Sequence, residues 1–424
     1  MRYLFVHQNF PGQFLHLVRQ LVRSPDNEVL FITEENANAI PGVRKVTYPP
    51  PPPLSGSTFP DAADFEAATI RAAIVAKMAG NLKALGFQPD IIIGHHGWGE
   101  MLNMADVWPD VPLLGYYEFF YRTHGLDVGF DPEFPSSPEG LARVRAKNAV
   151  NLLALTSPGF GQCPTRFQFE TYPAWAQQRI ALLPEGVDLQ ACAPDPAARD
   201  RLYELDGFQV LPGEMLVTYV ARDLEPYRGF HVMMRALPRL LRERRDLKVI
   251  MVGGDGVSYG PRLANMTWRE LLLREVGADL DMSRVAFPGK IDYRAFVGLL
   301  QRSDSHVYLT YPFVASWSLR EALACGCAIV ASDTAPVHEL IADRITGLLT
   351  PCLDPIRLAE TVLAVLANPA ASAQLRANAR GFAEQTLRMD VYLQNYQTLI
   401  DWVMQQSRPA TPESAGSSSE GTPG

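Results

Sequence analysis

The chain has 424 residues, of which 47% are apolar and 20% charged, and it carries a formal net charge of −8. That length points to two domains rather than one core, and that balance excludes disorder over most of the chain. The negative charge excludes general attraction to nucleic acid, which needs an excess of Lys and Arg on one face.

The N-terminus passes directly into an apolar run at residues 4–7, without the long apolar region of a signal peptide, and no stretch of 18 apolar residues suggests a spanning helix. A cytoplasmic location is expected. Further runs at 29–32, 91–93, 113–116, 152–155 and 180–183 predict strands, separated by helical stretches. This is the pattern of parallel strands joined by crossover helices that cover both faces. The proline run from Pro49 to Pro53 predicts an extended surface loop, because proline cannot donate to a ladder.

Pro194 and Pro196 interrupt the pattern, which then restarts. The expected division is a first domain at 1–188, a linker at 189–212 and a second domain at 213–386. In the second domain, strands are expected at 217–220, 248–252, 285–287 and 306–309. Helices are expected from Gly229, near Trp268, and from about Tyr293, Ser318, Pro336, Pro355 and Asp390. The last, at 387–406, carries Tyr392, Tyr396, Leu399 and Trp402 at helical spacing and is expected to cross back to the first domain. Residues 407–424 are Ser, Gly, Pro and Glu with almost nothing to bury and are expected to be disordered. The fold class is therefore α/β, two facing Rossmann-like doubly wound domains, with one cleft outside the carboxyl ends of the strands.

Five scattered cysteines fit a reducing compartment better than a disulfide framework. Cys325 and Cys327 have no second ligand pair at zinc-site spacing, so no metal is expected.

At the predicted strand ends, Arg222 and Arg228 flank a turn and would offer fixed guanidinium groups to a phosphorylated ligand. Gly253 and Gly254 permit either close backbone approach or a plain turn. In the segment from Tyr311 to Glu321, the amides opening a helix would face an anion. Ser318 and Glu321 also have the spacing of a capping box, so Glu321 is open to a ligand role or a helix-cap role.

The stretch Ala221-Arg222-Asp223-Leu224-Glu225-Pro226-Tyr227-Arg228-Gly229-Phe230 is followed by Val252-Gly253-Gly254-Asp255-Gly256, Phe287-Pro288-Gly289-Lys290 and Glu321-Ala322-Leu323-Ala324-Cys325-Gly326. In order and spacing these resemble the family 4 glycosyltransferases, and Leu183-Pro184-Glu185-Gly186-Val187-Asp188 resembles the family's segment before the interdomain linker. The resemblance implies the B architecture, retention of anomeric configuration, and a nucleotide-diphosphate-sugar donor used without a metal cofactor. It also implies a diphosphate held by Arg222 and Arg228, with the donor ribose on Glu321. Further donor contacts are implied at Gly12, Gly253, Gly254, Gly289, Lys290, Ala315, Ser316, Trp317 and Ser318. Where the family carries the first Glu of its motif this chain has Phe313, which cannot accept a hydrogen bond from a sugar hydroxyl.

In the first domain, Gly12 lies in the loop His7-Gln8-Asn9-Phe10-Pro11-Gly12, which resembles the family's first glycine-containing loop or is a simple strand-to-helix turn. His95 and His96 do not share a strand face, so a paired metal site is not expected; His95 is a candidate for acceptor hydroxyls, with a structural role as its alternative. Glu118, among aromatics, would bind a sugar hydroxyl or deprotonate the acceptor, or else pair with Arg122. Asp127 and Asp131 suit acceptor hydroxyls or a packed surface loop. The expected partners are a nucleotide-sugar donor and a glycan, lipid-linked or small-molecule acceptor, with peripheral contact at the inner face of the membrane expected from similar enzymes. Two alternatives stand beside transfer: a non-catalytic nucleotide-sugar or glycan-binding protein, favoured by Phe313, and a nucleotide-sugar epimerase of the same architecture.

Overall fold

The computed structural model describes residues 1–54 and 56–407. The tail expected to be disordered lies outside the described residues from 408 onward.

The first sheet comprises β1 (Arg2–Val6), β2 (Glu28–Glu34), β3 (Val43–Tyr48), β4 (Ile91–His95), β5 (Leu113–Tyr116), β6 (Phe160–Cys163) and β7 (Ile180–Leu182). All pair in parallel, in the order β3-β2-β1-β4-β5-β6-β7. A short antiparallel hairpin, β8 (Tyr203–Leu205) and β9 (Phe208–Val210), occupies part of the stretch expected to be linker. The second sheet comprises β10 (Met215–Asp223), β11 (Leu247–Gly254), β12 (Val285–Gly289), β13 (Ser305–Tyr308), β14 (Ile329–Ser332) and β15 (Leu348–Thr350). It too is wholly parallel, in the order β12-β11-β10-β13-β14-β15.

In each sheet the chain moves outward from its first strand and then returns to that strand's other side, so the order reverses between β1 and β4 and between β10 and β13. At such a reversal the flanking helices lie on opposite faces and leave a crevice at the carboxyl ends. His7, His95, Arg222 and the segment after Tyr308 all emerge at these two crevices.

Strand β4 is buried along its whole length and β1 along all but its first residue, which explains their unbroken apolar runs. Residues 152–155 depart from expectation. They lie in the helix Ala149–Thr156, where Val150, Asn151, Ala154 and Leu155 face inward at helical spacing while Leu152 and Leu153 are exposed. The strand comes later, as Phe-Gly-Gln-Cys in β6, a sequence with too little apolar surface to announce itself. The edge strand β3 is half-exposed and mixes Arg, Lys and Thr with its valines, which hides it for the same reason.

The helix Met389–Gln406 buries Tyr392, Tyr396, Ile400 and Val403 against Phe5, Phe14, Leu17 and Tyr116 of the first domain. Trp402 stays partly exposed, its ring edge-on to Phe160 at 4.5 Å. Ile400→Ala is expected to lower stability by about 2–5 kcal/mol, through lost transfer energy and a residual cavity. Trp402→Ala, at a partly exposed position, should cost about 1 kcal/mol. Urea unfolding of the two variants checks the difference.

Candidate active site

Between the two sets of strand ends lies a cleft of about 710 Å³. On its first-domain side the chain leaves β1 through His7 and the loop holding Gly12. Gly12 has φ +53°, and a Cβ there would come within 2.9 Å of the His7 ring, so the turn demands glycine. The Asn9 backbone N–H donates to His7 Nδ1 at 2.7 Å, which leaves Nε2 as the protonated nitrogen. Burial, reinforced by neighbouring His95, holds the His7 pKa well below the ordinary imidazole range. It therefore enters chemistry as a neutral donor.

His95 is fully buried, stacked against Tyr116 at 5.2 Å and Trp98 at 6.5 Å, and does not itself line the cleft. Its Nδ1 accepts from the Gly97 N–H at 2.9 Å, so Nε2 faces Glu118, whose carboxylate lies 3.7 Å away. His95 thus positions Glu118. His96 points elsewhere, against the Tyr117 ring at 4.8 Å, with burial pressing its pKa down to about 3.

Glu118 lines the cleft. Burial pushes its carboxyl up, but His95 and the fields of Arg228 and Arg222 more than offset this, so it stays below the usual carboxylate range. The alternative pair with Arg122 does not form, because that guanidinium donates to the carbonyls of Glu170 and Thr171 at 2.7 and 3.0 Å.

On the second-domain side, Arg222 at the end of β10 is exposed to the cleft. Arg228 is only 6% exposed; its Nη1 donates to Thr310 Oγ1 at 2.8 Å and to the Val314 carbonyl at 2.9 Å, and the guanidinium lies 5.1 Å from the Tyr259 ring centre. Glu225 ties this turn to the next loop by accepting from the backbone N–H groups of Ser258, Tyr259 and Gly260 at 3.0, 3.2 and 2.8 Å.

Lys290, following Gly289 at the end of β12, lines the cleft with its ammonium 3.4 Å from Asp223. Gly253 and Gly254 do not line it. A Cβ at Gly254 would stand 2.6 Å from both Asp223 Oδ1 and Lys290 Cε, so that glycine makes room for the Asp223–Lys290 pair.

Val314, Ala315, Ser316 and Trp317 line the cleft, whereas Ser318 turns its hydroxyl to Ser316. The helix Trp317–Ala324 starts one residue before Ser318 and has no side-chain cap, so the Ser318–Glu321 capping box does not form. The Ser316 N–H is already committed to the Tyr308 hydroxyl at 2.7 Å and is not free for an anion. Glu321 faces an adjoining recess bordered by Gln13, Glu185, Tyr293, Trp317 and Arg320. Burial raises its carboxyl above the ordinary range, with the Tyr293 hydroxyl and Arg320 working against the rise.

Asp127 and Asp131 stand outside the cleft lining and join the two domains instead. Asp127 accepts from the Tyr227 hydroxyl, while Asp131 lies 2.5 Å from the Tyr311 hydroxyl and 3.0 Å from His231 Nε2. Beside them Glu133 forms a two-pronged ion pair with Arg235, and Phe134 packs on His231 and Trp268. Nothing local distinguishes an aspartate awaiting a sugar from one held by residues about a hundred positions away.

Residues that sequence reasoning passed over include Glu185, which crosses the domain boundary. Its carboxylate accepts from Trp317 Nε1 at 2.7 Å and from the Tyr116 hydroxyl at 3.2 Å, and lies 3.5 Å from Arg320. Tyr259 and Lys147 also line the cleft, the Lys147 ammonium lying 4.4 Å from the Tyr121 ring centre. Glu185 and Tyr259 follow β7 and β11, which is the signal that would have flagged them; Lys147 ends the helix Pro138–Lys147 and carries no such mark.

A cleft between the carboxyl ends of two parallel sheets, cationic on one side and carrying a carboxylate and an imidazole on the other, is the site expected of a two-domain glycosyltransferase of the B architecture. Residues 25–192 match the glycosyl transferase family 4 group, and residues 207–382 match the glycosyl transferases group 1. The chain belongs to the family 4 glycosyltransferases.

It is 26% identical over 305 residues to the GDP-mannose-dependent alpha-(1-6)-phosphatidylinositol monomannoside mannosyltransferase of Mycolicibacterium smegmatis, covering 69% of this chain and 73% of that one. To the D-inositol 3-phosphate glycosyltransferase of Frankia alni it is 30% identical over 275 residues, 62% of this chain and 61% of that one. Sucrose-phosphate synthase from Thermosynechococcus elongatus shares the fold with a TM-score of 0.70 at 18% identity, over 96% of this chain and all (100%) of that one. So does Anabaena HepE, solved with UDP-glucose, with a TM-score of 0.65 at 16% identity over 95% and 100% of the two chains. The chain is an enzyme that transfers a sugar from a nucleotide sugar to an acceptor. No helix among the described residues is long and apolar enough to cross a membrane.

The Asp131 link carries a pH signature. Burial raises its carboxyl, but hydrogen bonds from His231 and Tyr311 bring it down to about 2 from 3.8. Between those values the unfolded chain binds more protons than the folded one, so the link's contribution is complete above about pH 4 and is lost as pH falls towards 2. Thermal unfolding of wild type and Asp131→Asn across that interval should show the difference between them shrinking with acidification.

Proposed function

We propose that the chain is a retaining glycosyltransferase that holds the donor diphosphate at Arg222, Arg228 and Lys290 and the donor ribose at Glu321. The acceptor hydroxyl enters from the first domain beside Glu118. The observation that carries this reading is Arg228: a buried guanidinium anchored through one nitrogen to Thr310 and Val314, lining a cleft that also bears the exposed Arg222 on the same second-domain side. As the bond to the anomeric carbon breaks, negative charge grows on the departing diphosphate. Two guanidinium groups and an ammonium supply the countercharge that a metal ion would otherwise provide.

Same-face attack fits the carboxylates of the cleft. Glu185 is engaged by Trp317, Tyr116 and Arg320, and Asp223 by Lys290 and Ser258, which leaves Glu118 with no side-chain hydrogen bond among the described residues and His95 at 3.7 Å. Held ionised on the acceptor side by His95, Glu118 binds or deprotonates the incoming hydroxyl. The neutral His7 Nε2–H, among the residues lining the cleft, donates to a sugar oxygen. The acceptor class is a glycan, a polyol or a lipid-linked sugar, reached from the cytoplasm and at the membrane face when lipid-linked. The acceptor in the name of the Mycolicibacterium relative, a phosphatidylinositol monomannoside, supports this class.

Arg228→Ala should lower kcat by about 10²- to 10³-fold, the usual cost of removing one preorganised donor to a developing anion. Arg222→Ala, at an exposed position, should lower it by about 10-fold to 100-fold. Nucleoside diphosphate release, measured with a panel of nucleotide sugars, reads both effects. Full activity in both variants would sink the charge role, and binding without turnover across all acceptors would mark a nucleotide-sugar-binding module instead.

A further inference from the structure

One wall of the cleft offers rings in place of hydrogen-bonding groups. Phe313, 4% exposed, has its ring centre 4.7 Å from that of Phe119, 4.9 Å from Tyr259 and 5.6 Å from Tyr227. Its neighbour Val314 is the carbonyl partner of Arg228, and Phe119 adjoins Glu118. The ring therefore lies between the cation proposed for the diphosphate and the carboxylate proposed for the acceptor, which is where the sugar attached to that diphosphate must sit. The Tyr227 hydroxyl on this wall is committed to Asp127, and Tyr259 turns its ring face to the Arg228 guanidinium at 5.1 Å. Polar side chains line the rest of the cleft, at His7, Gln8, Asn9, Glu118 and Lys147.

A pyranose hydroxyl turned towards Phe313 loses its water and gains no partner, whereas a C–H, a methyl or an acetamido methyl loses nothing. We propose that Phe313, supported by Tyr259, is a specificity-determining residue. It selects a donor hexose bearing an apolar substituent on the edge that meets this wall, a deoxy carbon or an acetamido methyl, over the fully hydroxylated parent. The proposal rests on the donor-site reading above.

Two matched donor pairs test it: GDP-mannose against GDP-6-deoxymannose, and UDP-glucose against UDP-N-acetylglucosamine. The expected result is a kcat/KM preference of about tenfold or more for the apolar member of one pair. That preference should collapse towards unity in Phe313→Gln. Should this buried substitution fail to fold, Tyr259→Ala, at a residue 39% exposed, reads the same collapse. Calorimetric binding of the free nucleoside diphosphate should stay unchanged in Phe313→Gln, whereas Tyr259→Ala, which removes an aromatic face from Arg228, is read through the donor preference alone. Equal or reversed preference in both pairs, or a preference untouched by the substitutions, overturns the proposal alone. Failure of wild type to bind any nucleoside diphosphate overturns the donor-site reading and this proposal with it.

Discussion

The site depends on a buried positive charge. Taking a guanidinium out of water is costly unless its donors are satisfied, and a carboxylate is the usual partner. Arg228 has none within ion-pair distance among the described residues; it has instead a threonine hydroxyl, a backbone carbonyl and an aromatic face. These satisfy hydrogen bonds without cancelling the charge. The turn carrying it is pinned by the core itself, since the buried Tyr219 hydroxyl of β10 donates to the Arg228 carbonyl at 2.7 Å. The cost of holding an unneutralised cation is thus met by the packing of the second sheet, and the cleft is left with a standing attraction for anions.

Much of this was legible in the sequence, and for a physical reason. Parallel strands buried on both faces must be nearly all apolar, so β1, β4, β10 and β11 declare themselves, and the residues just past them mark where a ligand binds. Arg222 and Arg228 were reachable by that rule, whereas Lys290 and Gly12 were marked by the family resemblance. The readings that failed share a different cause. Residues 152–155 are as apolar as a strand, and only the burial of alternate helical faces separates the two readings. Ser318 and Glu321 have the spacing of a cap, yet the helix starts at Trp317, and backbone geometry decides such a motif. Asp127 and Asp131 found partners in the other domain, at sequence separations of 100 and 180 residues. No local pattern encodes a contact of that range.

Glu185, Asp127, Asp131 and Glu133 are all first-domain carboxylates held by second-domain groups, whereas Arg222 is exposed to the cleft and Lys290 pairs with Asp223 of its own domain. Pairing across the domains thus takes up carboxylates beside and around the cleft, and leaves Arg222 and Arg228 without an ion-pair partner among the described residues. That division leaves the charge of the two guanidinium groups uncancelled while fixing the distance across which a sugar must pass.

The helix at 389–406 has consequences for how this architecture could be reassembled. Although it comes last in the chain, its apolar face completes the core of the first domain, and the loop at 127–134, near the chain's start, completes a patch on the second. A cut at the hairpin between 203 and 210 would therefore yield two fragments that each lack part of their own interior. Any recombination of halves between relatives, by evolution or by design, would have to exchange that helix together with the first domain and rematch that loop to the second.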